Sequence, residues 1–202
     1  EQDILLQLSW FDEISMELMV QILGLTCEES GQFLERIWRY GGVFAEHSVD
    51  DTYSFYPMFH SFLKRISPRY ISEQKYLAIG RRALFFYENA GEYEYALSFA
   101  GILDDDDAMV RLLEEILPRL PEFAEYASLM PYVNQLLPAS IRRDGRLVFV
   151  KAMLEAVSGN WEEALNWLNY LETMRAQEEN QGKGEELDLQ ARWLRIVMPG
   201  IP

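Results

Sequence analysis

The chain has 202 residues, with 18 Lys+Arg against 33 Asp+Glu, so its formal net charge is −15. Nucleic-acid phosphates and anionic lipid headgroups both attract clustered cations, so this charge argues against direct binding to nucleic acid or to a membrane. Hydrophobic residues make up 49% of the chain, which excludes a disordered acidic tail. The single cysteine excludes an internal disulfide and favours a reducing, cytoplasmic location.

The two ends of the chain suggest a piece of a longer protein. It begins at Glu1 without an initiator methionine, and it ends on Pro-Gly-Ile-Pro at 199–202. No stretch approaches the ~18 apolar residues of a membrane span, and no signal-peptide pattern is found at the start. We therefore expect an internal part of a larger cytoplasmic protein.

The first 42 residues have a helical period. Apolar residues recur at helical spacing over 16–23, and Gly24 follows where a helix would end. Thr26 and Glu29 form the pattern of a capping box, which predicts the start of another helix, ending at Gly41. The predicted apolar face of that helix contains Phe33, Leu34, Ile37 and Trp38.

The period then changes. Two short runs rich in aromatic and β-branched residues, 43–45 and 53–56, flank a polar stretch and predict a β-hairpin. Pro57 suits the first turn of a further helix. The predicted inward side of this helix is Phe59, Phe62, Leu63 and Ile66. Three helices, a hairpin and a helix are the order of a winged-helix module, which we predict over residues 1–70.

From residue 71 onward only helical patterns remain. Residues 91–97 (GEYEYAL) and 159–165 (GNWEEAL) share a glycine, an aromatic residue two positions later, and then alanine and leucine. Their offset (159 − 91 = 68) is twice the ~34-residue period of tetratricopeptide repeats. In such repeats the glycine ends one helix, the aromatic residue fills the gap between helices, and the alanine lets the second helix approach.

We therefore predict a mainly α chain in which 71–202 form the start of a longer, tetratricopeptide-like array of antiparallel helices. Two unrelated helix hairpins are the alternative. A polar segment over 177–186 predicts a loop before a last helix. A buried stripe is predicted at Met109, Leu112, Leu113, Ile116 and Leu117. Breaks between short helices are predicted at Pro118, Pro121, Pro131 and Pro138.

The sequence has no Walker A motif, GxGxxG, GxSxG or HExxH pattern. Cys27 falls in a predicted first helical turn, where we interpret it as a small cap-region residue rather than a nucleophile. His47 with Asp50 and Asp51 is a candidate metal site, but a solvated hairpin tip explains it better. We expect no enzyme activity, no catalytic residue and no metal ion in these residues.

Two charge runs remain. Asp104 to Asp107 precede a predicted helix, whose positive N-terminal end favours acidic residues, so we predict capping rather than cation binding. Arg142 to Arg146 (RRDGR) form the one cationic cluster of note. A solvated turn is the preferred interpretation of that cluster, and an acidic or phosphate-bearing partner is the alternative. We assign three nearby aromatic residues to the core rather than to a ligand cage: Trp161, Trp167 and Tyr170.

Three stretches of the chain resemble the central region of MalT-like, LuxR-type ATP-dependent transcriptional regulators of bacteria. The first is ILLQLSWFDEIS at 4–15, similar to the family's LLxxSxLxxLS. The second is FYPMFHSFLK at 55–64, similar to YHPLFxxLLR. The third runs over 83–100 and is similar to a helix pair of the family joined at a glycine. In this order, with the repeat helix that follows, the resemblance covers residues 4 to about 117.

The resemblance implies a parent protein with an ATP-binding switch domain upstream and a helix-turn-helix DNA-binding domain downstream. These two domains are the implied partners of the chain, together with a small-molecule inducer or a regulatory protein on the helical repeats. ATP or ADP would bind the upstream domain, and no cofactor is expected in this chain. The family's nucleotide-facing histidine falls on Tyr56, which can donate a hydrogen bond but has no imidazole charge.

The leading hypothesis is therefore an internal, signal-sensing part of a LuxR-type regulator that couples an ATP-dependent switch to effector or partner binding. The alternative is a protein-interaction scaffold of helical repeats with no small-molecule effector. Direct DNA binding by the winged helix is a third hypothesis. It is disfavoured because residues 1–70 contain 5 Lys+Arg against 11 Asp+Glu, a net charge of −6.

Overall fold

A computed structural model of the chain describes residues 2–41, 44–47, 52–117 and 126–179. The fold is mainly α, and its internal contacts divide the chain into two units, Glu1–Glu92 and Tyr93–Pro202. The first unit contains α1 (Gln2–Leu8), α2 (Met16–Leu23), α3 (Cys27–Gly41), β1 (Phe44–His47), β2 (Tyr53–Phe55), α4 (Pro57–Tyr70) and α5 (Glu73–Ala90). The second unit contains α6 (Tyr93–Ile102), α7 (Asp106–Ile116), α8 (Tyr126–Gln135), α9 (Pro138–Ile141), α10 (Gly145–Val157) and α11 (Trp161–Glu179).

The predicted glycine at the end of α2 and the predicted capping box at the start of α3 are both confirmed. Gly24 follows α2 with φ of 72°, a left-handed conformation that glycine adopts without steric cost. The Glu29 amide donates to Thr26 Oγ1 at 3.2 Å, and the Thr26 amide donates to Glu29 Oε2 at 2.8 Å. These reciprocal bonds form the capping box. The Thr26 amide and the Thr26 hydroxyl both donate to the Glu29 carboxylate, and they lower its pKa because they stabilise the charged form.

The predicted hairpin is confirmed, and β2 is bonded on both of its sides. β1 and β2 pair in antiparallel register, with Phe44 opposite Phe55 and a bulge in β1 after it. Ile14, between α1 and α2, forms an antiparallel bridge with Tyr53. Each of these two residues donates its amide hydrogen to the other's carbonyl oxygen at 2.8 Å. The segment before α2 therefore joins the hairpin as a third extended segment.

The core of the first unit lies where α2 packs on α3 and α5, and where α1 packs on α4. Its completely buried apolar residues are Leu8, Ile14, Met19, Ile22 and Ala83. Phe62 was predicted to point inward on α4, but its side chain is 45% exposed. The buried side of α4 is centred on Leu63 and Ser67, one turn apart, and Phe62 lies beside that line rather than on it.

The second unit is built around α10, which packs on α7, α8, α9 and α11. A helix that is apolar on all sides needs neighbours on all sides, and these four helices supply them. The buried residues of α10 are Leu147, Val148, Phe149, Val150, Ala152, Met153, Leu154 and Ala156. The predicted stripe over 109–117 is buried at all five of its positions, which confirms that expectation.

Two expectations about breaks in the second unit were wrong. Pro131 lies inside α8, because Leu129 and Val133 on either side of it are buried and hold the helix against its neighbours. The predicted loop at 177 starts too early, since α11 continues to Glu179. Pro138 does begin a helix, at the first position of α9. Pro118, Pro121 and the predicted last helix lie outside the described residues.

The two glycine motifs form equivalent turns. Gly91 has φ of 77° and Gly159 has φ of 80°. In each turn the amide of the residue after the glycine donates a 2.9 Å hydrogen bond to the carbonyl oxygen five residues earlier. These bonds run from Glu92 to Tyr87 and from Asn160 to Glu155. The alanines at the fifth position, Ala96 and Ala164, are both completely buried.

The predicted gap-filling role of the aromatic residue is not seen at Trp161, whose side chain is 49% exposed. The assignment of Trp161 to the core was also wrong, because this first residue of α11 lies in a run of exposed residues over 157–163. The corresponding Tyr93 is partly buried at the start of α6.

Candidate functional site

Tyr56, the residue that the resemblance predicts to face a nucleotide, lies between β2 and α4. Its carbonyl oxygen accepts the His60 amide at 2.9 Å, whereas its side chain makes no capping bond and is 46% exposed. Phe55 before it is buried, and Pro57 after it occupies the first turn of α4. These two neighbours anchor the backbone of Tyr56, and its ring stays accessible at the surface.

Exposed apolar side chains continue from Tyr56 along the first two turns of α4. Met58 is 88% exposed and Phe62 is 45% exposed. Because these residues are four positions apart on a helix, they lie on the same side of it, one turn above the other. We call Tyr56, Met58 and Phe62 the α4 surface. Exposed apolar groups gathered in this way are typical of contact surfaces.

A partly buried histidine lies on the other side of α4. His60 Nε2 is 2.8 Å from the Ser9 carbonyl oxygen, so this nitrogen carries hydrogen and donates. His60 Nδ1 is 3.7 Å from Asp12 Oδ1, and Lys64 Nζ donates to the same oxygen at 3.1 Å. Burial lowers the pKa of His60 below 6.5, Lys64 lowers it further, and Ser9 and Asp12 oppose the shift. His60 therefore ties the residues after α1 to α4 as a neutral imidazole.

This arrangement predicts a pH dependence of the stability of the first unit. A base with a lowered pKa contributes stability that is complete above its unfolded pKa and is lost as the pH falls through the folded value. Relative to His60→Gln, the wild-type chain is expected to lose free energy of unfolding as the pH falls from about 7.5 through the unfolded pKa of about 6.5. Urea unfolding of both proteins across this range measures the difference. Parallel pH profiles would contradict the assignment.

The outer side of α3 has an open depression of about 250 Å³, lined by Gln32, Glu35, Arg36 and Arg39. Arg39 pairs with Glu35 one turn away. Two arginines and one glutamate on this side leave little excess positive charge. The depression therefore lacks the dense cationic side chains by which helices contact nucleic-acid phosphates.

In the second unit the aspartate run caps α7, as predicted. Asp105 Oδ1 accepts the Ala108 amide at 3.0 Å. Asp106 Oδ2 reaches the start of α9, where it accepts the Leu137 amide at 3.2 Å and the Ser140 hydroxyl at 2.7 Å. Besides capping its own helix, the run therefore fixes α9 against α7. The sequence did not indicate this second role, because the bonded residues are more than 30 positions apart.

These contacts predict different effects for two adjacent aspartates. Asp106→Ala is expected to lower the free energy of unfolding by about 2 kcal/mol, because it leaves the buried Ser140 hydroxyl without its acceptor. Asp107→Ala removes only an exposed ion pair with Arg143, and less than about 0.5 kcal/mol is expected. Urea unfolding measures both variants. Equal losses would show that the bonds to α9 contribute little.

The cationic cluster forms the turn between α9 and α10. Asp144 caps α10 by accepting the amides of Arg146 and Leu147 at 2.8 and 3.0 Å. Arg142 places its guanidinium carbon 5.5 Å from the centre of the Trp167 ring and 5.2 Å from that of Tyr170. Trp167 is buried and Tyr170 is partly buried, which supports their assignment to the core. The only sequence signal for the stacking was the aromatic pair three positions apart in α11.

Cys27 is an exposed free thiol in the first turn of α3. No group of three or more His, Cys, Asp or Glu within 2–41, 44–47, 52–117 and 126–179 is arranged to hold a metal ion. Asp50, Asp51 and the side chain of His47 lie outside what the structure describes. Across those same ranges, every helix is too short or too polar to cross a lipid bilayer.

Comparisons of the chain with protein-family models, with curated proteins and with solved structures find no match.

Proposed function

We propose that the chain is an internal regulatory part of a LuxR-type, ATP-dependent transcriptional regulator similar to MalT. Residues 1–70 would form a winged-helix-like module, and 71–202 would begin a tetratricopeptide-like array. In the parent protein, this part couples an upstream nucleotide switch to effector or partner binding on the repeats. It is a cytoplasmic, non-catalytic part of a bacterial protein that contacts DNA through another domain.

The observation that carries the proposal is the bridge between Ile14 and Tyr53. A winged helix has a short extended segment between its first two helices, and that segment pairs with the second strand of the hairpin. The order of α1, Ile14, α2, α3, β1 and β2 agrees with this topology. The short connection of α2 to α3 through Gly24 also agrees with a helix-turn-helix pair.

Two glycine turns support the array, one after α5 at the end of the first unit and one before α11 in the second. Gly91 and Gly159 have the same left-handed backbone and the same bond spanning five residues. Each turn is followed by a helix with a completely buried alanine, Ala96 or Ala164. Recurrence of one turn with one pattern of burial is what a repeated helical unit would produce.

The α4 surface is the place where the module would meet the nucleotide domain. A nucleotide domain seated there would bury the exposed apolar groups of Met58 and Phe62. It would also bring the Tyr56 hydroxyl toward the bound nucleotide. With a net charge of −6 over residues 1–70, the module is suited to a protein neighbour rather than to DNA.

The test uses the full-length parent protein. Its reading frame should contain a Walker A motif upstream and a helix-turn-helix downstream. Tyr56→Ala is then expected to accelerate ADP release and raise uninduced reporter output. Tyr70→Ala is the matched control, since Tyr70 is 67% exposed at the far end of the same helix. Equal ADP release from both variants would reject the role of Tyr56.

Sensing by the array has a separate test. Deletion of residues 71–202 from the parent is expected to abolish the response of a reporter to inducer. A response that persists would show that the repeats are not the sensor.

The alternative function, a protein-interaction scaffold without an effector, is favoured by one observation. Val157 and Trp161 flank the turn between α10 and α11, and their side chains are 75% and 49% exposed. Exposed tryptophans are frequent anchors of protein interfaces. Trp161→Ala would then abolish capture of a partner from the native host, and a panel of metabolites would leave the thermal stability of the chain unchanged.

A further inference from the structure

We propose that Arg142 is a carboxylate-binding group in the second unit, held in position by the rings of Trp167 and Tyr170. The inference deepens the proposed function, because it names the chemistry of a ligand for the repeats. It rests on the proposed function only for its regulatory consequence, since binding can be measured on the 202-residue chain itself.

The first observation is that both the backbone and the side chain of Arg142 make contacts within the second unit. Its backbone amide donates to the Pro138 carbonyl at 3.1 Å at the end of α9. Its guanidinium carbon lies 5.5 and 5.2 Å from the centres of two rings of α11. A guanidinium near aromatic rings is attracted to them as a cation, and its five N–H donors can still bind a planar oxyanion. These contacts restrict the side chain before any ligand binds, which lowers the entropy cost of binding.

The second observation is the distribution of the neighbouring charges. Arg143 pairs with Asp107. Burial raises the pKa of Glu114, and Arg146 lies close enough to this carboxyl to lower its pKa in part. Asp144 is occupied by two amides of α10. Among the residues that the structure describes, Arg142 pairs with no carboxylate, and it is exposed. Within the described part of the chain, it is therefore the guanidinium of this cluster that is open to an external anion.

The charge of the cluster and the geometry of a single guanidinium favour a carboxylate over a phosphate. A phosphate dianion is usually held by several cations or backbone amides, and here the neighbouring arginines already interact with acidic side chains. The chain also has a net charge of −15, which repels multiply charged ligands. A single carboxylate matches a single guanidinium in charge and in planar, bidentate geometry. The partly buried Tyr170 ring adds apolar surface for the rest of the ligand.

The carboxylate has two possible sources, a small carboxylic acid or an acidic side chain of a peptide, and matched probes distinguish them. The small-molecule probes are benzoate and benzamide. The peptide probes are acetyl-Leu-Glu-Leu-amide and acetyl-Leu-Gln-Leu-amide. Inorganic phosphate is the competing anion. Each is titrated into the isotope-labelled chain, and the Nε–H resonances of the arginines and the indole resonance of Trp167 are followed by NMR.

We expect the Arg142 and Trp167 resonances to move saturably with at least one carboxylate probe and not with its neutral amide. The Arg143 resonance is the internal control, because its guanidinium is already paired. Arg142→Lys keeps the charge but loses the planar fork, so binding should weaken by about five-fold or more. Arg143→Gln should leave binding unchanged. Binding of benzoate alone would identify a small carboxylic acid as the source, and binding of the glutamate peptide alone would identify an acidic side chain. Either result supports the proposal.

Three results would overturn the proposal. They are equal shifts of Arg142 and Arg143, tighter binding of phosphate than of both carboxylates, and no saturable shift with any probe. A reporter assay of Arg142→Lys in the parent then separates the two proposals. Carboxylate binding without any change in reporter response supports this inference and counts against the regulatory function.

Discussion

Replacing Ile14 with proline is expected to lower the free energy of unfolding of the first unit by about 4 kcal/mol. Proline has no amide hydrogen, so the 2.8 Å bond from residue 14 to the Tyr53 carbonyl is lost. The same change removes the completely buried side chain of Ile14 and leaves a gap beside the hairpin. Urea unfolding, with hydrogen exchange of the α2 amides, measures the loss in this unit.

Ile14→Val separates the backbone effect from the side-chain effect. Valine keeps both the amide hydrogen and the β-branched shape, and it removes one methylene group, so about 1 kcal/mol is expected. A loss of the same size for both variants would mean that the bridge contributes little. In that case the main support for a winged-helix-like first unit would fall as well.

Leu113→Ala is expected to lower the free energy of unfolding of the second unit by about 3 kcal/mol. Leu113 is completely buried on α7, which packs against α6, α9 and α10, so the cavity cannot close without moving several helices. Urea unfolding gives the total loss, and faster hydrogen exchange of the α7 and α10 amides locates it in this unit.

Val157→Ala is the matched control for that variant. It also shortens an apolar side chain of the second unit, but Val157 is 75% exposed at the end of α10, so a change within about 0.5 kcal/mol is expected. Losses of equal size would indicate that the packing around Leu113 is loose. They would contradict a close-packed α7.

Features with short-range causes could be predicted from the sequence. Gly24, Gly91 and Gly159 end helices through their own backbone conformation, and the capping box of Thr26 and Glu29 spans only three residues. The hairpin likewise followed from the change of period between its flanking helices. The interactions that make these features stay within about one or two helical turns, so a short window of sequence contains them.

Features that depend on distant packing could not be predicted. The hydrogen bond of His60 joins residues 51 positions apart. Phe62 was assigned to the buried side of α4 from the spacing of apolar residues. That spacing shows roughly which side of a helix is apolar, but the packing of neighbouring helices decides which residues at its margin are buried. Pro131 was assigned to a break, yet the burial of its neighbours outweighs the local cost of a proline in a helix.

The candidate site divides in the same way. The resemblance singled out Tyr56 from a short motif, and the structure places this exposed residue directly before α4. The place of Arg142 near two rings of α11 could not be deduced, because it depends on packing between the turn after α9 and a helix that begins 19 residues later. Charge alone therefore identified the cationic cluster, and packing identified which of its arginines is open.

The two left-handed glycine turns have a consequence for chirality. A Cβ atom added to Gly91 or Gly159 would meet nothing within 4 Å, so space is not what restricts these positions. The restriction is the sign of φ, which an L-residue resists and its mirror image adopts readily. A D-alanine would fit both turns while restricting the unfolded chain. At these two points the fold therefore selects residues by handedness rather than by size.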